Sequence, residues 1–238
     1  MRELTPRFVE RVWGSADLSP WYPAPPPSSG GLPYGEVWFE GERLLIKFLF
    51  PQEKLSVQVH PGDAYAREHE ASNGKTEMWR VVRAEPGASI ALGFREPVER
   101  EAARAAALDG SIMEMLDWRE VRAGDSFLIP AGTVHAMGGG MVVAEIQQMS
   151  DVTYRLFDYG RGRELHVERG FDVAELGPYV ARETRCEYFE TVEVGARELV
   201  EPRSGEDYLI GLETGRVWRL EGTAQAEEAA LHTWVPNT

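Results

Sequence analysis

Gln58 and His60 stand two residues apart in Leu55-Ser-Val-Gln-Val-His-Pro61. The segment alternates like a β-strand, so Ser56, Gln58 and His60 share one face and Leu55, Val57 and Val59 the other. A carboxamide and an imidazole side by side are two potential metal ligands. Three later segments offer the groups such a pair would need. Gly74-Lys-Thr-Glu-Met-Trp79 puts Lys75 and Glu77 on one strand face. Gly124-Asp-Ser-Phe-Leu-Ile-Pro-Ala-Gly-Thr-Val-His135 passes through a turn shaped by Pro130 and Gly132 and delivers His135 to the start of the next strand. Further on, Glu145 shares a face with Val143 and Gln147, and Arg155 with Thr153 and Phe157. Arg155 is too basic to serve as a proton acceptor and so acts as a fixed positive charge.

Taken singly, these residues have plainer readings. Gln58 could hydrogen-bond a neighbouring backbone, Glu77 could be a solvated strand residue, and His135 a turn residue. Lys75 could simply pair with Glu145 or Asp151, and Arg155 with Asp151 or Asp158. It is their order along the chain that favours a shared site. His69, His166 and His232 lack such a context. His69 reads as a surface helix or loop residue, His232 as packing beside Trp234, and His166 has no assigned role. Arg161 and Arg163 could reach a phosphate or belong to a solvated loop.

Composition narrows the chemistry. Cys186 is the only cysteine, so an internal disulfide and a cysteine-based zinc site are both excluded. A metal would be held by His, Glu, Asp or Gln, a donor set that suits Zn²⁺, Mn²⁺, Fe²⁺ or Co²⁺. The net charge of -14 over 238 residues argues against nucleic acid and anionic membrane surfaces as partners. No apolar run approaches a membrane span, and the first residues lack the apolar core of a signal peptide, which predicts a cytoplasmic protein.

The elements that must position these residues are mostly short strands between Gly and Pro turns. Val12–Gly14 and Val37–Phe39 flank a Pro-rich loop over 20–35. Arg43–Phe50 is nearly continuous in apolar residues, as in a strand covered on both sides. Strands are predicted near 55–60, 75–83, 88–93, 125–129, 141–148 and 152–157. One interval differs. Residues 97–118 predict a helical insert: an Ala-rich helix stopped by Asp109-Gly110, then a shorter one with Ser111 as N-cap and Glu114 completing a capping box. Strands return at 188–194, 208–212, 217–220 and 231–236.

The Gly…Pro-x-Gly-x-x-His run ending at His135 resembles the second motif of the cupin superfamily. Together with Ser56–Pro61, Gly74–Trp79, Glu145–Asp151 and Val152–Asp158, it resembles the type I mannose-6-phosphate isomerase family in its short bacterial form. The likeness is collinear from Trp13 to Asp172, helical insert included, and loose in the final third. It implies a mainly β fold: a cupin (jelly-roll) β-barrel over 1–172, with a degenerate, incomplete second cupin-like half over 173–238 packed on it.

The resemblance also implies one zinc ion per chain, or another divalent metal, held by Gln58, His60, Glu77 and His135. Two imidazoles and one carboxylate would leave the ion a residual charge of about +1, useful toward an oxyanion. Of the four, Gln58 is the weakest donor. The position of Arg155 is catalytic in the family and that of Glu145 lies in the site. The implied reaction interconverts mannose 6-phosphate and fructose 6-phosphate through a cis-enediol(ate). Arg155 would stabilise charge and bind substrate. Lys75 would contact substrate too and, like Glu145, would be a candidate for moving the proton. A lysine beside a divalent cation should also be less basic than usual. A related cupin isomerase for another sugar or sugar phosphate, and a non-catalytic metal- or sugar-binding cupin, are the alternatives. The partner is a small sugar phosphate, and the assembly a monomer or homodimer.

Overall fold

A computed structural model describes residues 1–237. From the N-terminus, β1 (Arg2–Glu3) and β2 (Arg7–Ser15) precede the Pro-rich loop, and β3 (Tyr34–Glu40), β4 (Leu44–Leu49) and β5 (Val57–Val59) follow it. Helix α1 (Asp63–His69) leads to β6 (Glu77–Ala84) and β7 (Ser89–Phe94). Next come α2 (Arg100–Asp109), α3 (Ile112–Met115) and β8 (Leu116–Glu120). Strands β9 (Ser126–Ile129), β10 (His135–Met137), β11 (Met141–Gln148) and β12 (Tyr154–Phe157) end at α4 (Val167–Val173). The remainder holds β13 (Glu190–Val194), β14 (Leu199–Val200), β15 (Asp207–Gly211), β16 (Val217–Arg219), β17 (Ala224–Gln225) and β18 (Ala230–Trp234).

Two antiparallel sheets form the central jelly roll: β2-β3-β4-β11-β6-β9 and β12-β5-β10-β7-β8. Among the described residues no ladder joins them, so the cupin-like fold is two facing sheets rather than a hydrogen-bonded closed barrel. Side-chain alternation sorts the core into layers. Leu49, Trp79, Val81 and Ile129 of the first sheet meet Ile90, Leu92 and Met137 of the second between them. On the far side of the second sheet, Val57, Val59, Ala136 and Leu156 pack on Ala103, Ala107, Ile112 and Phe171 of the helices. The far side of the first sheet, with Leu44, Ile46, Phe48, Ala144 and Ile146, packs on Phe189, Tyr208, Ile210 and Leu231. Tyr208, Ile210 and Leu231 belong to the third sheet, β1-β16-β15-β18-β13, which recruits the N-terminal Arg2–Glu3, and Phe189 immediately precedes its strand β13. Strand β4 is therefore buried along its whole length, as its apolar run predicts.

Several local expectations shift. The helical insert is α2 and α3, and Trp118 lies in β8 rather than a helix. Ser111 makes no cap bond; the Asp109 carboxylate accepts both its N–H and its hydroxyl, so a local aspartate turn replaces the capping box. Gly110 takes the left-handed conformation that ends α2. The strands expected over 55–60 and 75–83 begin at Val57 and Glu77, which leaves His60 and Lys75 in the adjoining turns. Helices α1 and α4 are too short for an apolar period to reveal.

Candidate metal centre and catalytic cleft

Cross-strand register lines up the inward-facing residues. In one sheet Arg155 and His135 both face Gln58 from its two neighbouring strands. In the other, Glu145 faces Lys47 on one side and Trp79 on the other. One row later Gln147 faces Glu77. The two rows meet between the sheets.

His60, Glu77 and His135 are all buried, and their potential ligand atoms lie within 4.8 Å of one another. His60 Nδ1–H donates to the Val152 carbonyl and His135 Nδ1–H to the Thr133 carbonyl, each at 2.9 Å. Those bonds fix each ring and leave Nε2 as a lone pair toward Glu77, at 3.5 Å from Oε2 and 3.4 Å from Oε1. Burial, with the Lys75 charge adding to it, holds His60 far below the ordinary histidine range, and burial takes His135 down to about 4. Both imidazoles are thus neutral and ready to donate. Burial and then the nearby Glu145 push Glu77 up to about 7. Neither Glu77 oxygen has an aligned hydrogen-bond donor among the described residues. The Lys75 ammonium, 2.7 Å from Oε2, is the cation beside it, and Oε1 faces only the neutral His135 ring, which leaves that oxygen and the two imidazole lone pairs available to a metal. The His/Glu/His donor set fits a divalent metal that accepts nitrogen and oxygen.

Gln58 lies beside this cluster. Its amide nitrogen is 3.2 Å from His135 Nε2, and its oxygen accepts from the Ser56 hydroxyl at 3.3 Å. In this orientation the amide turns its nitrogen inward, so coordination requires it to rotate. Lys75 is buried, with Nζ 2.7 Å from Glu77 Oε2 and 3.0 Å from His60 Nε2. Burial disfavours its charge, but the Glu77 and Glu145 carboxylates outweigh that and hold it above the ordinary lysine range. A divalent ion on Glu77 would act in the opposite sense. The turn that carries Lys75 is pinned: Asp63 Oδ1 accepts from Gly74 N–H at 2.8 Å and from the Gln148 amide at 2.9 Å. The Gln148 oxygen in turn accepts from Thr76 N–H at 2.9 Å.

Glu145 accepts from the Trp79 indole at 2.8 Å and lies 3.2 Å from Lys47 Nζ. Burial would raise its pKa, yet the Lys47 and Lys75 ammonium groups and the indole N–H together lower it, so it is ionised at neutral pH. Lys47 escaped the sequence reading. Its signal is a lone lysine in the otherwise apolar β4, on the Leu45/Leu49 face; the Trp38 ring covers it at 4.6 Å.

These groups open onto a cleft of about 450 Å³ whose wall includes Gln58, Lys75, Lys47, Glu145, Arg155 and Arg163. Arg155 pairs with neither Asp151 nor Asp158. Its Nη1 donates to the Glu164 carbonyl at 2.7 Å, and its buried Nε has no partner. Every other cation on the wall has a carboxylate: Arg11 has Glu36, Lys47 has Glu145, Lys75 has Glu77 and Arg163 has Asp158. Arg161 turns away, to Glu53 and the Lys54 carbonyl. His69 sits on the surface against Tyr65, and His232 packs on Trp234 while bonding Asp207 at 2.9 Å.

No protein-family model matches the chain. It is 45% identical over 140 residues to the mannose-6-phosphate isomerase of Streptococcus mutans, covering 56% of this chain and 44% of that protein. The chain thus spans less than half of that relative. It is 35% identical over 225 residues to the mannose-6-phosphate isomerase ManA of Bacillus subtilis, covering 75% of this chain and 69% of that protein. The fold matches a crystal structure of the mannose 6-phosphate isomerase from Bacillus subtilis with a TM-score of 0.72 and 24% identity, over 97% of this chain and 92% of that one.

Proposed function

The chain belongs to the mannose-6-phosphate isomerase family, and on that premise we propose that it interconverts mannose 6-phosphate and fructose 6-phosphate with one divalent metal, zinc first among the candidates. One observation carries the reading. A buried His60/Glu77/His135 cluster adjoins, through Gln58 and Lys75, a cleft whose one cation without a carboxylate partner among the described residues is Arg155. When bound, a divalent ion would polarise substrate oxygens and favour negative charge on them.

The chain's own residues divide the remaining work. The isomerisation opens the sugar ring and moves a proton between C2 and C1 through a cis-enediol(ate). Glu145, ionised and held by Lys47 and Trp79, is poised to accept a proton. Lys75, charged and buried, is poised to return one to oxygen. Arg155 supplies fixed charge for the enediolate or for the substrate's anionic group. Arg163, on the same wall, adds positive potential while Asp158 holds it still.

A coupled assay of the purified protein with a panel of hexose 6-phosphates and free sugars, with and without chelator, tests the proposal. The expected result is metal-dependent turnover with the highest kcat/KM for mannose 6-phosphate. Metal-dependent turnover that favours another sugar would replace the substrate. Metal or sugar binding with no turnover would leave a binding protein.

A further inference from the structure

Strand β12 is the free edge of its sheet, so the backbone groups that point away from β5 need partners from elsewhere. At Arg155 a single residue supplies both. The Arg155 N–H donates to His166 Nδ1 at 3.2 Å, and the Arg155 carbonyl accepts from the His166 N–H at 2.7 Å. The acceptor role of Nδ1 places the ring proton on Nε2. The turn over 158–166 also grips the side chain, through the Glu164 carbonyl on Nη1. His166 is itself anchored. Its carbonyl accepts from Gly170 N–H at 2.8 Å at the head of α4, and Val167 and Phe171 of that helix are buried in the helix-side core.

We propose that His166 is the positioning residue for Arg155: its ring nitrogen and main-chain N–H set the edge of β12 and so the place from which the guanidinium faces the cleft. This rests on the role given to Arg155 above. With no carboxylate to hold the guanidinium, the turn is what fixes it. Charge stabilisation by a fixed cation is sensitive to position, and a displacement of about 1 Å can cost a factor on the order of 100 in rate. A histidine is well suited to the task. It reaches the edge strand with a side-chain acceptor and a main-chain donor at once, as a neighbouring strand would.

Two variants separate positioning from bulk. His166→Ala removes the acceptor; His166→Asn restores one near the place of Nδ1. The alanine variant should lose roughly 10- to 100-fold in kcat with metal content unchanged, and the asparagine variant should recover most of it. In an Arg155→Ala background, His166→Ala should cause no further loss of kcat, because it acts through the missing arginine. Losses that multiply, or an asparagine variant as poor as alanine, overturn the proposal. A second readout needs no turnover. Modification of Arg155 by phenylglyoxal, followed by peptide mass spectrometry, should quicken in His166→Ala but not in His166→Asn. An unchanged rate refutes the positioning role whatever the protein catalyses. The expected modification pattern in a protein without isomerase activity would instead refute only the functional reading.

Discussion

At the scale of residues, the decisive object is Glu77, a fully buried carboxylate between two imidazoles kept neutral by burial. Loss of one imidazole should release the ion, whereas loss of a charge across the cleft should not. His135→Ala is therefore expected to purify with little bound metal and no turnover. Arg155→Ala should keep a full metal complement and lose roughly 100- to 1,000-fold in kcat. Metal analysis beside steady-state kinetics reads both, and an arginine variant with near-normal kcat removes Arg155 from the mechanism. The order of the motifs was enough to single out His60, Glu77 and His135, although His60 proves to lie in the turn just after β5 rather than in the strand. Strand parity was silent on Lys47, because β4 is buried on both sides and neither of its faces looks polar. It was equally silent on the amide orientation of Gln58, which a neighbouring strand and Ser56 decide.

At the scale of elements, two turns near the cleft depend on single side chains. Glu10 accepts from Ser29, Gly30 and Leu32 N–H groups and clips the Pro-rich loop to β2, with Leu32 on the cleft wall. The Gly30 N–H above all, aided by those of Leu32 and Ser29 and by Ser28, lowers the Glu10 carboxyl to about 2 from an ordinary 4.5. A depressed carboxyl stabilises the fold fully above the ordinary value and loses that contribution as pH falls toward 2. The Tm advantage of the wild type over Glu10→Gln should therefore be largest near neutrality and shrink below about pH 4.5, as calorimetry can show. A constant difference across that range would mean the clip is not electrostatic. The second turn carries Lys75. A Cβ on Gly74 would lie 2.5 Å from Asp63 N and 2.7 Å from Gly62 C, both backbone atoms with no room to yield. Gly74→Ala should cost roughly 1–3 kcal/mol in urea unfolding and displace Lys75 from Glu77. A neutral effect on both stability and kcat would refute that reading of the turn.

At the scale of the whole molecule, the third sheet covers the outer face of the first. Ile46, Phe48, Ala144 and Ile146 are fully buried there, and Glu206 reaches across to accept from the N–H groups of Glu42 and Arg43. A chain ending at residue 172 should therefore expose a broad apolar sheet face. We expect it to bind a hydrophobic dye and to unfold without a cooperative transition; a sharp, cooperative melt would show that 1–172 stands alone. Among the described residues no helix is long and apolar enough to cross a membrane. The sequence by itself determined the strand-rich architecture and the helical insert, because alternation and turn residues are local properties of a chain, and the order of its motifs carried the resemblance that implied the His, Glu, Lys and Arg set. Only the tertiary structure decided what those groups meet. It paired Glu145 with Lys47, left Arg155 without a carboxylate and gave its edge strand to His166. Each outcome depends on which strands become neighbours and on which sheet edge stays open, and neither is written in any one segment.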